Sequence, residues 1–136
     1  MGFKRVLIAN RGEIALRILR TLRDMGIEAA IIHGREDRLS LPVRFADVAY
    51  PIMRSNPLDS YLDIEAVVQA AKDLNCDAVH PGYGFLAENA HFVKRLEEEG
   101  ITFIGPAAEV ITLLSLIHIS EPTRQEAISY AVFCLK

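Results

Sequence analysis

The 136-residue chain is long enough for one ordinary domain with its own apolar core. Hydrophobic residues make up 51% and charged residues 24%, which excludes a disordered chain, and a net charge of −3 excludes a surface built mainly for nucleic acid or anionic membrane. No run approaches the roughly 20 apolar residues of a membrane span, the N-terminus carries no signal-peptide pattern, and Cys76 and Cys134 stand apart without metal-ligand neighbours, so the expected setting is soluble, reducing and cytoplasmic.

In chain order, Arg5–Ala9 (RVLIA) is apolar, rich in β-branched residues and closed by Asn10-Arg11-Gly12, the pattern of a buried strand ending in a turn. Glu13 to Met25 then takes helical spacing, with Ile14, Ile18, Leu22 and Met25 in one stripe, Ala15 and Leu19 beside it, and Gly26 as the stop. Ala29–His33 (AAIIH) is a second apolar strand, so the first thirty residues or so form a βαβ unit and imply a parallel sheet. Gly34–Val43 is polar and reads as a surface loop or short helix. Asp47–Ile52 is a weaker strand that Pro51 restricts to an edge or an end.

After a loop at Arg54–Asp59, Ser60 is expected to cap a helix carrying Ile64, Val67, Val68, Ala71 and Leu74 on its buried side, with Asp63 near its positive end. Asp77–His80 predicts a strand, Pro81-Gly82-Tyr83-Gly84 a turn, and Ala87 to Glu99 a helix that buries Ala90, Val93 and Leu96 and stops at Gly100. Ile101–Ile104 predicts the last strand, followed by Gly105-Pro106 and a short helix with Val110, Ile111 and Leu113. The expected class is α/β, a doubly wound, mainly parallel sheet of about five strands.

The pattern breaks after Leu113. Leu114–Arg124 (LSLIHISEPTR) has no clean period, and Ile128–Lys136 (ISYAVFCLK) is an apolar run. Both resemble read-through of a transposase-type sequencing adapter and the flow-cell primer beyond it, joined by three index-derived codons at Gln125, Glu126 and Ala127. The expected division is therefore a domain over residues 1–113 and a non-native tail over 114–136, with no functional weight on His118, Tyr130 or Cys134.

Two segments hold the chemistry-bearing residues. In His80–Asn89 (HPGYGFLAEN), Gly82 and Gly84 flank Tyr83 at the carboxyl end of a strand, the edge where open α/β sheets bind ligands. The residues alone allow a ligand-facing loop or a tight turn with a packed tyrosine, and a helix N-terminus just beyond would favour anions. Asn10-Arg11-Gly12-Glu13 occupies the same place after the first strand, with Glu13 suited to the helix start. Arg17, Arg20 and Asp24 share one helix face, either a solvated stripe or an interface. His33 and His91 lack spaced partners and are not metal candidates.

Leu7–Arg20 (LIANRGEIALRILR), Tyr61–Ile64 (YLDI), His80–Asn89 and Ile101–Pro106 (ITFIGP) together resemble the N-terminal domain of biotin carboxylases, a Rossmann-like domain that precedes an ATP-grasp region. The resemblance implies a parent enzyme that carboxylates biotin with ATP, Mg²⁺ and bicarbonate. It implies that Tyr83, with Gly82, Gly84 and His80, lies on the biotin and bicarbonate side, and that His80 holds the turn rather than doing chemistry. Asn10, Arg11, Gly12, Glu13, Glu88 and Asn89 would support the site, and Arg17, Arg20 and Asp24 would form a homodimer contact.

Implied partners are the ATP-grasp region of the same parent chain and a biotin carboxyl carrier, with no nucleic acid and no membrane. In the family a Gly-Asp-Lys opens the ATP-grasp region just after the position of Leu113-Leu114, where this chain has Ser115-Leu116-Ile117, so the polypeptide itself is expected to be inactive and to bind no cofactor tightly. Glu36–Leu41 with Ala46-Asp47 and Ala49-Tyr50 looks most like pyruvate carboxylases. Another ATP-grasp ligase, such as a carbamoyl-phosphate synthetase, shares the layout but not NRGEIALR joined to HPGYGFLAEN. A nicotinamide-dependent dehydrogenase predicts G-x-G-x-x-G where the chain has NRGEIA. A non-enzymatic binding module fits the polypeptide as it stands.

Overall fold

The two apolar runs with no polar alternation become central strands, because both of their faces are covered. The computed structural model describes residues 2–105, except the side chains of Pro57 and Leu58. β1 (Arg5–Ile8) lies mid-sheet, flanked by β2 (Glu28–His33) and β4 (Ala78–His80), with β3 (Val48–Pro51) and β5 (Thr102–Phe103) at the edges. The order is β3-β2-β1-β4-β5 and every pairing is parallel, with Leu7 opposite Ala30 on one side and Val79 on the other. Pro51 thus sits on an edge strand, as expected.

Strand alternation divides the core into two layers. Val6, Ile8, Ala29, Ile31 and Ala78 pack against Ala15, Ile18, Leu19 and Leu22 of α1 (Gly12–Asp24), with Val43 of the short α2 (Leu41–Phe45) alongside. Leu7, Ala30, Ile32 and Val79 pack the other way, against Val67, Val68 and Ala71 of α3 (Ile64–Asp73) and Phe92 and Leu96 of α4 (Ala90–Glu98). Helices therefore cover both faces, the doubly wound arrangement predicted. The expected short helix after Pro106 and the tail from Leu114 lie outside the described residues.

The three longer helices end the same way. In α1, Gly26 N–H donates to Arg23 O and Ile27 N–H to Leu22 O; Asn75 and Cys76 repeat this at the end of α3, and Gly100 and Ile101 at the end of α4. Each left-handed residue (Gly26 φ 76°, Asn75 φ 54°, Gly100 φ 74°) turns the chain sharply towards the next strand. Cys76 enters the core there, and burial pushes its thiol up to about 11.

Three local expectations need correction. Met25 is 56% exposed, because α1 closes at Asp24 and Met25 is already its capping residue. Ser60 does not cap α3: it is buried and donates to Ile52 O. Asp63 is the cap, accepting from Ala66 N at 3.0 Å while Arg54 approaches its carboxylate at 2.8 Å. α4 starts at Ala90 rather than Ala87, because Asn89 takes the cap position and accepts from Phe92 N at 3.0 Å.

Arg54 first, then the Ala66 N–H, holds Asp63 below the usual carboxylate range. Asp63→Ala is expected to lower stability by about 1 kcal/mol, and Asp63→Asn, which keeps the cap acceptor, by less. Urea unfolding checks the order of the two variants, and equal losses would remove the capping account.

Candidate functional site

The chain leaves β1 towards β2 and β3 and later returns to the other side of β1 with β4 and β5, so the strand order reverses between β1 and β4. A crevice opens beyond the carboxyl ends of strands at such a reversal. The turn at Asn10–Gly12 and the loop at Pro81–Gly84 both emerge there, joined at the base by Ala9 N–H donating to His80 O at 2.9 Å.

Asn10, 3% exposed, links the two segments. Its Nδ2 donates to Pro81 O at 2.7 Å and Tyr83 O at 2.8 Å, and its Oδ1 accepts from Arg11 N at 2.8 Å. Gly82 crosses directly over this amide with φ 67°; a Cβ there would lie 2.8 Å from Asn10 Nδ2 and 3.2 Å from Ile14 Cγ1. Glycine is thus required twice at Gly82, by conformation and by space. At Gly84 only the conformation (φ 72°) is demanding, since a Cβ would meet open space.

His80, grouped above with the binding residues, lies underneath the loop and is 1% exposed. Its Nδ1 accepts from Gly82 N at 3.0 Å, which places the ring proton on Nε2, a buried donor with no partner among the described residues. Its position is that of a turn-holding residue, out of reach of a ligand in the crevice. Tyr83 is half-buried at the strand tips, and its hydroxyl makes no hydrogen bond among the described residues. The polypeptide then turns at Gly84–Glu88, with Ala87 N donating to Gly84 O at 2.8 Å and Leu86 buried as an anchor. This turn separates Tyr83 from the start of α4, whose Phe92 N–H already has Asn89 as partner, so the anion-favouring end expected just after the loop is not adjacent to it.

A second set of contacts ties the β1 turn to the loop after β2. Arg11 donates through Nε to Asp37 Oδ2 at 2.7 Å and through Nη2 to Oδ1 at 2.8 Å. Tyr61 donates to the same carboxylate at 2.6 Å and accepts from Gly34 N at 3.2 Å. The Arg11 guanidinium, then the Tyr61 hydroxyl, holds Asp37 below the usual carboxylate range; burial first, then Asp37, pushes the Tyr61 phenol up. Sequence reasoning missed Asp37 and gave Tyr61 no role, although Tyr61 opens the YLDI segment.

Glu13 sits exposed in the first turn of α1, and Glu88 is exposed near the loop. Arg17, Arg20 and Asp24 lie exposed on the outer side of α1, opposite Ala15, Ile18 and Leu22. Among the described residues no group of His, Cys, Asp or Glu is placed to hold a metal ion, and no helix is long and apolar enough to cross a membrane. An apolar groove of about 290 Å³ between β5 and the end of α1, lined by Phe3, Leu22, Met25, Ile27 and Phe103 among others, includes none of the crevice residues. What the strand ends offer is a half-buried tyrosine on a backbone held by Asn10 and His80.

The family model described as the biotin carboxylase N-terminal domain matches residues 2–111. The 2-oxoglutarate carboxylase small subunit of Hydrogenobacter thermophilus is 50% identical over 112 residues, which cover 82% of this chain and 24% of that protein. The pyruvate carboxylase of Bacillus subtilis is 50% identical over 109 residues, covering 79% of this chain and 10% of that one. Among solved structures, the biotin carboxylase domain dimer of the Hydrogenobacter enzyme, in complex with MgADP and bicarbonate, superposes with a TM-score of 0.80 at 50% identity, covering 83% of this chain and 25% of that chain. This chain thus spans about a quarter of the small subunit it matches.

Burial lowers the His80 imidazole from its ordinary 6.5 to about 4. Between those values the unfolded chain takes up a proton that the fold refuses. Stability is therefore full above about pH 6.5 and falls as pH drops to about 4, by about 3 kcal/mol in all. The depressed carboxylates add to the loss at the acid end, Glu65 and Glu99 as pH falls through their ordinary 4.5 and Asp37, Asp63, Asp73 and Asp77 below their ordinary 3.8. Urea midpoints measured from pH 7.5 to pH 4 check this, and a flat profile would mean that His80 is protonated or solvated in the fold.

Proposed function

The chain belongs to the biotin carboxylase N-terminal domain family, and from that premise we propose that it is the first part of an ATP-dependent biotin carboxylase and helps to seat biotin and bicarbonate for carboxylation. The observation that carries the reading is the Asn10 bridge between the two crevice segments, which holds the half-buried Tyr83 on a pinned backbone. The flat ring and hydroxyl of Tyr83 suit a small bicyclic ligand with a polar ureido edge. Gly82 and Gly84 let the backbone pass close to it; Asn10, Arg11, Gly12, Glu13, Glu88 and Asn89 support the loop.

The described donor set does not fit a magnesium nucleotide, since among the described residues no group of His, Cys, Asp or Glu is placed to hold a metal ion. ATP and Mg²⁺ are assigned to an ATP-grasp region of the parent chain, and a biotin carboxyl carrier to the parent assembly. Homodimerisation is assigned to the outer face of α1 through Arg17, Arg20 and Asp24. The carboxyl acceptor is not encoded in this stretch: relatives named for 2-oxoglutarate and for pyruvate match it equally, at 50% identity.

The test is a chimera in which residues 2–111 replace the matching stretch of the Hydrogenobacter small subunit. It is expected to sediment as a dimer and to cleave ATP in response to bicarbonate and biotin, while the 136-residue chain alone does not. Tyr83→Ala is expected to raise the biotin KM about tenfold with a smaller fall in kcat. A folded chimera without biotin-dependent turnover would overturn the assignment, as would turnover by the isolated chain. The division at Leu114 is tested separately. Resequencing the locus past the Leu113 codon is expected to give Gly-Asp-Lys and an ATP-grasp continuation, and a native stop after the Lys136 codon would refute an adapter-derived tail.

A further inference from the structure

Four backbone polar groups near the crevice are satisfied by side chains: Arg11 N–H, Pro81 O and Tyr83 O by Asn10, and Gly82 N–H by His80. The two acceptors served by Asn10 lie on either side of Gly82, so a single amide fixes both ends of the step that leads into Tyr83. That amide belongs to the turn after β1, 71 residues away from Pro81. The contact is also tight, since Gly82 has no room for even a methyl group above the Asn10 nitrogen. A displacement of the β1 turn is therefore transmitted to the Tyr83 backbone, with no soft contact between them to absorb it.

We infer that Asn10 is a positioning residue for ligand binding: its carboxamide sets the height and direction of the Tyr83 ring over the crevice, and so governs affinity for biotin without touching it. This rests on the functional reading above. The chemical requirement is specific, because only an uncharged amide can donate two hydrogen bonds to adjacent carbonyls from one nitrogen and accept a third bond on its oxygen. Aspartate has the same shape but turns a carboxylate oxygen towards Pro81 O and Tyr83 O, and the loop must lift to part them.

Two measurements decide the matter. In the full 136-residue chain, Asn10→Asp is expected to speed amide exchange at Gly82 at least about tenfold more than at Leu7 or Ile31 in the central strands. Equal acceleration everywhere, or none at Gly82, would show that Asn10 does not hold the loop.

In the chimera, Asn10→Asp and Gly82→Ala are each expected to raise the biotin KM at least about tenfold, with kcat falling less than KM rises. Because both variants disturb one contact, the double variant should exceed the worse single one by no more than about threefold. Multiplying effects, near a hundredfold, or a loss confined to kcat, would overturn the inference. Asn10→Ser, which is smaller and can still donate one bond, gives an intermediate KM and replaces Asn10→Asp as the decisive variant should the latter not fold. A wild-type chimera without biotin-dependent turnover defeats the functional reading alone, since the exchange measurement still judges what Asn10 does.

Discussion

The crevice depends on a carboxamide buried between two strand ends. β1 and β4 are paired through Ile8 and His80, and beyond that pairing the two chains part. Exposed to water, the carbonyls of Pro81 and Tyr83 would be satisfied in many loop conformations. Inside the fold they are satisfied in one, because Asn10 is 3% exposed and its two N–H groups reach both. A buried amide that lost these partners would cost about 1–3 kcal/mol, so the loop conformation and the burial of Asn10 support each other.

The same site carries a cost that its own hydrogen bonds do not offset. His80 is desolvated, and its Nε2–H finds no acceptor among the described residues. Unsatisfied buried donors are rare, and this one sits directly beneath the segment that presents Tyr83. An apolar residue would remove the unpaired donor but also the acceptor for Gly82 N–H, and glutamine or asparagine lacks the rigid ring that spans from β4 to the turn. The imidazole is tolerated because one nitrogen does a structural task at the site, and the penalty on the other is borne by the well-packed layers on either side of the sheet.

Much of this was legible in the amino-acid order, and what was not has physical causes. Val6, Leu7 and Ile8, and Ala29 to Ile32, read as central strands because no polar residue interrupts them. Gly26 and Gly100 marked helix ends through their conformation. Asn75 ends α3 by the same hydrogen bonds but was not recognised, since asparagine marks such an end less clearly than glycine. Where two residues compete to cap one helix, as Ser60 and Asp63 do, propensity alone cannot choose; the buried Ile52 carbonyl takes Ser60 and leaves Asp63 for the cap. Both crevice segments emerge at the carboxyl ends of β1 and β4, as their place after two apolar strands predicts. Their wiring was not legible, because Asn10 meets Pro81 across 71 residues and Arg11 meets Asp37 across 26, distances over which sequence spacing carries no pairing information.

The Arg11–Asp37 pair is one of the features that set the β1 turn apart from a phosphate cradle. A strand–turn–helix at the sheet reversal is where dinucleotide folds seat a pyrophosphate, using glycines for close approach and the helix end for charge. Here the bulk of Asn10 fills the turn and points sideways into the next loop. Arg11, the cation best placed to meet an anion, is engaged in two hydrogen bonds by Asp37, and Tyr61 fixes that carboxylate in turn. Glu13 adds a negative charge to the first turn of α1, partly offsetting the field of the helix end. The first two departures direct an interaction towards a neighbouring segment: Asn10 towards Pro81–Tyr83, and Arg11 towards the loop after β2. A turn whose polar groups are used in this way lends its rigidity to the neighbouring loop that carries Tyr83.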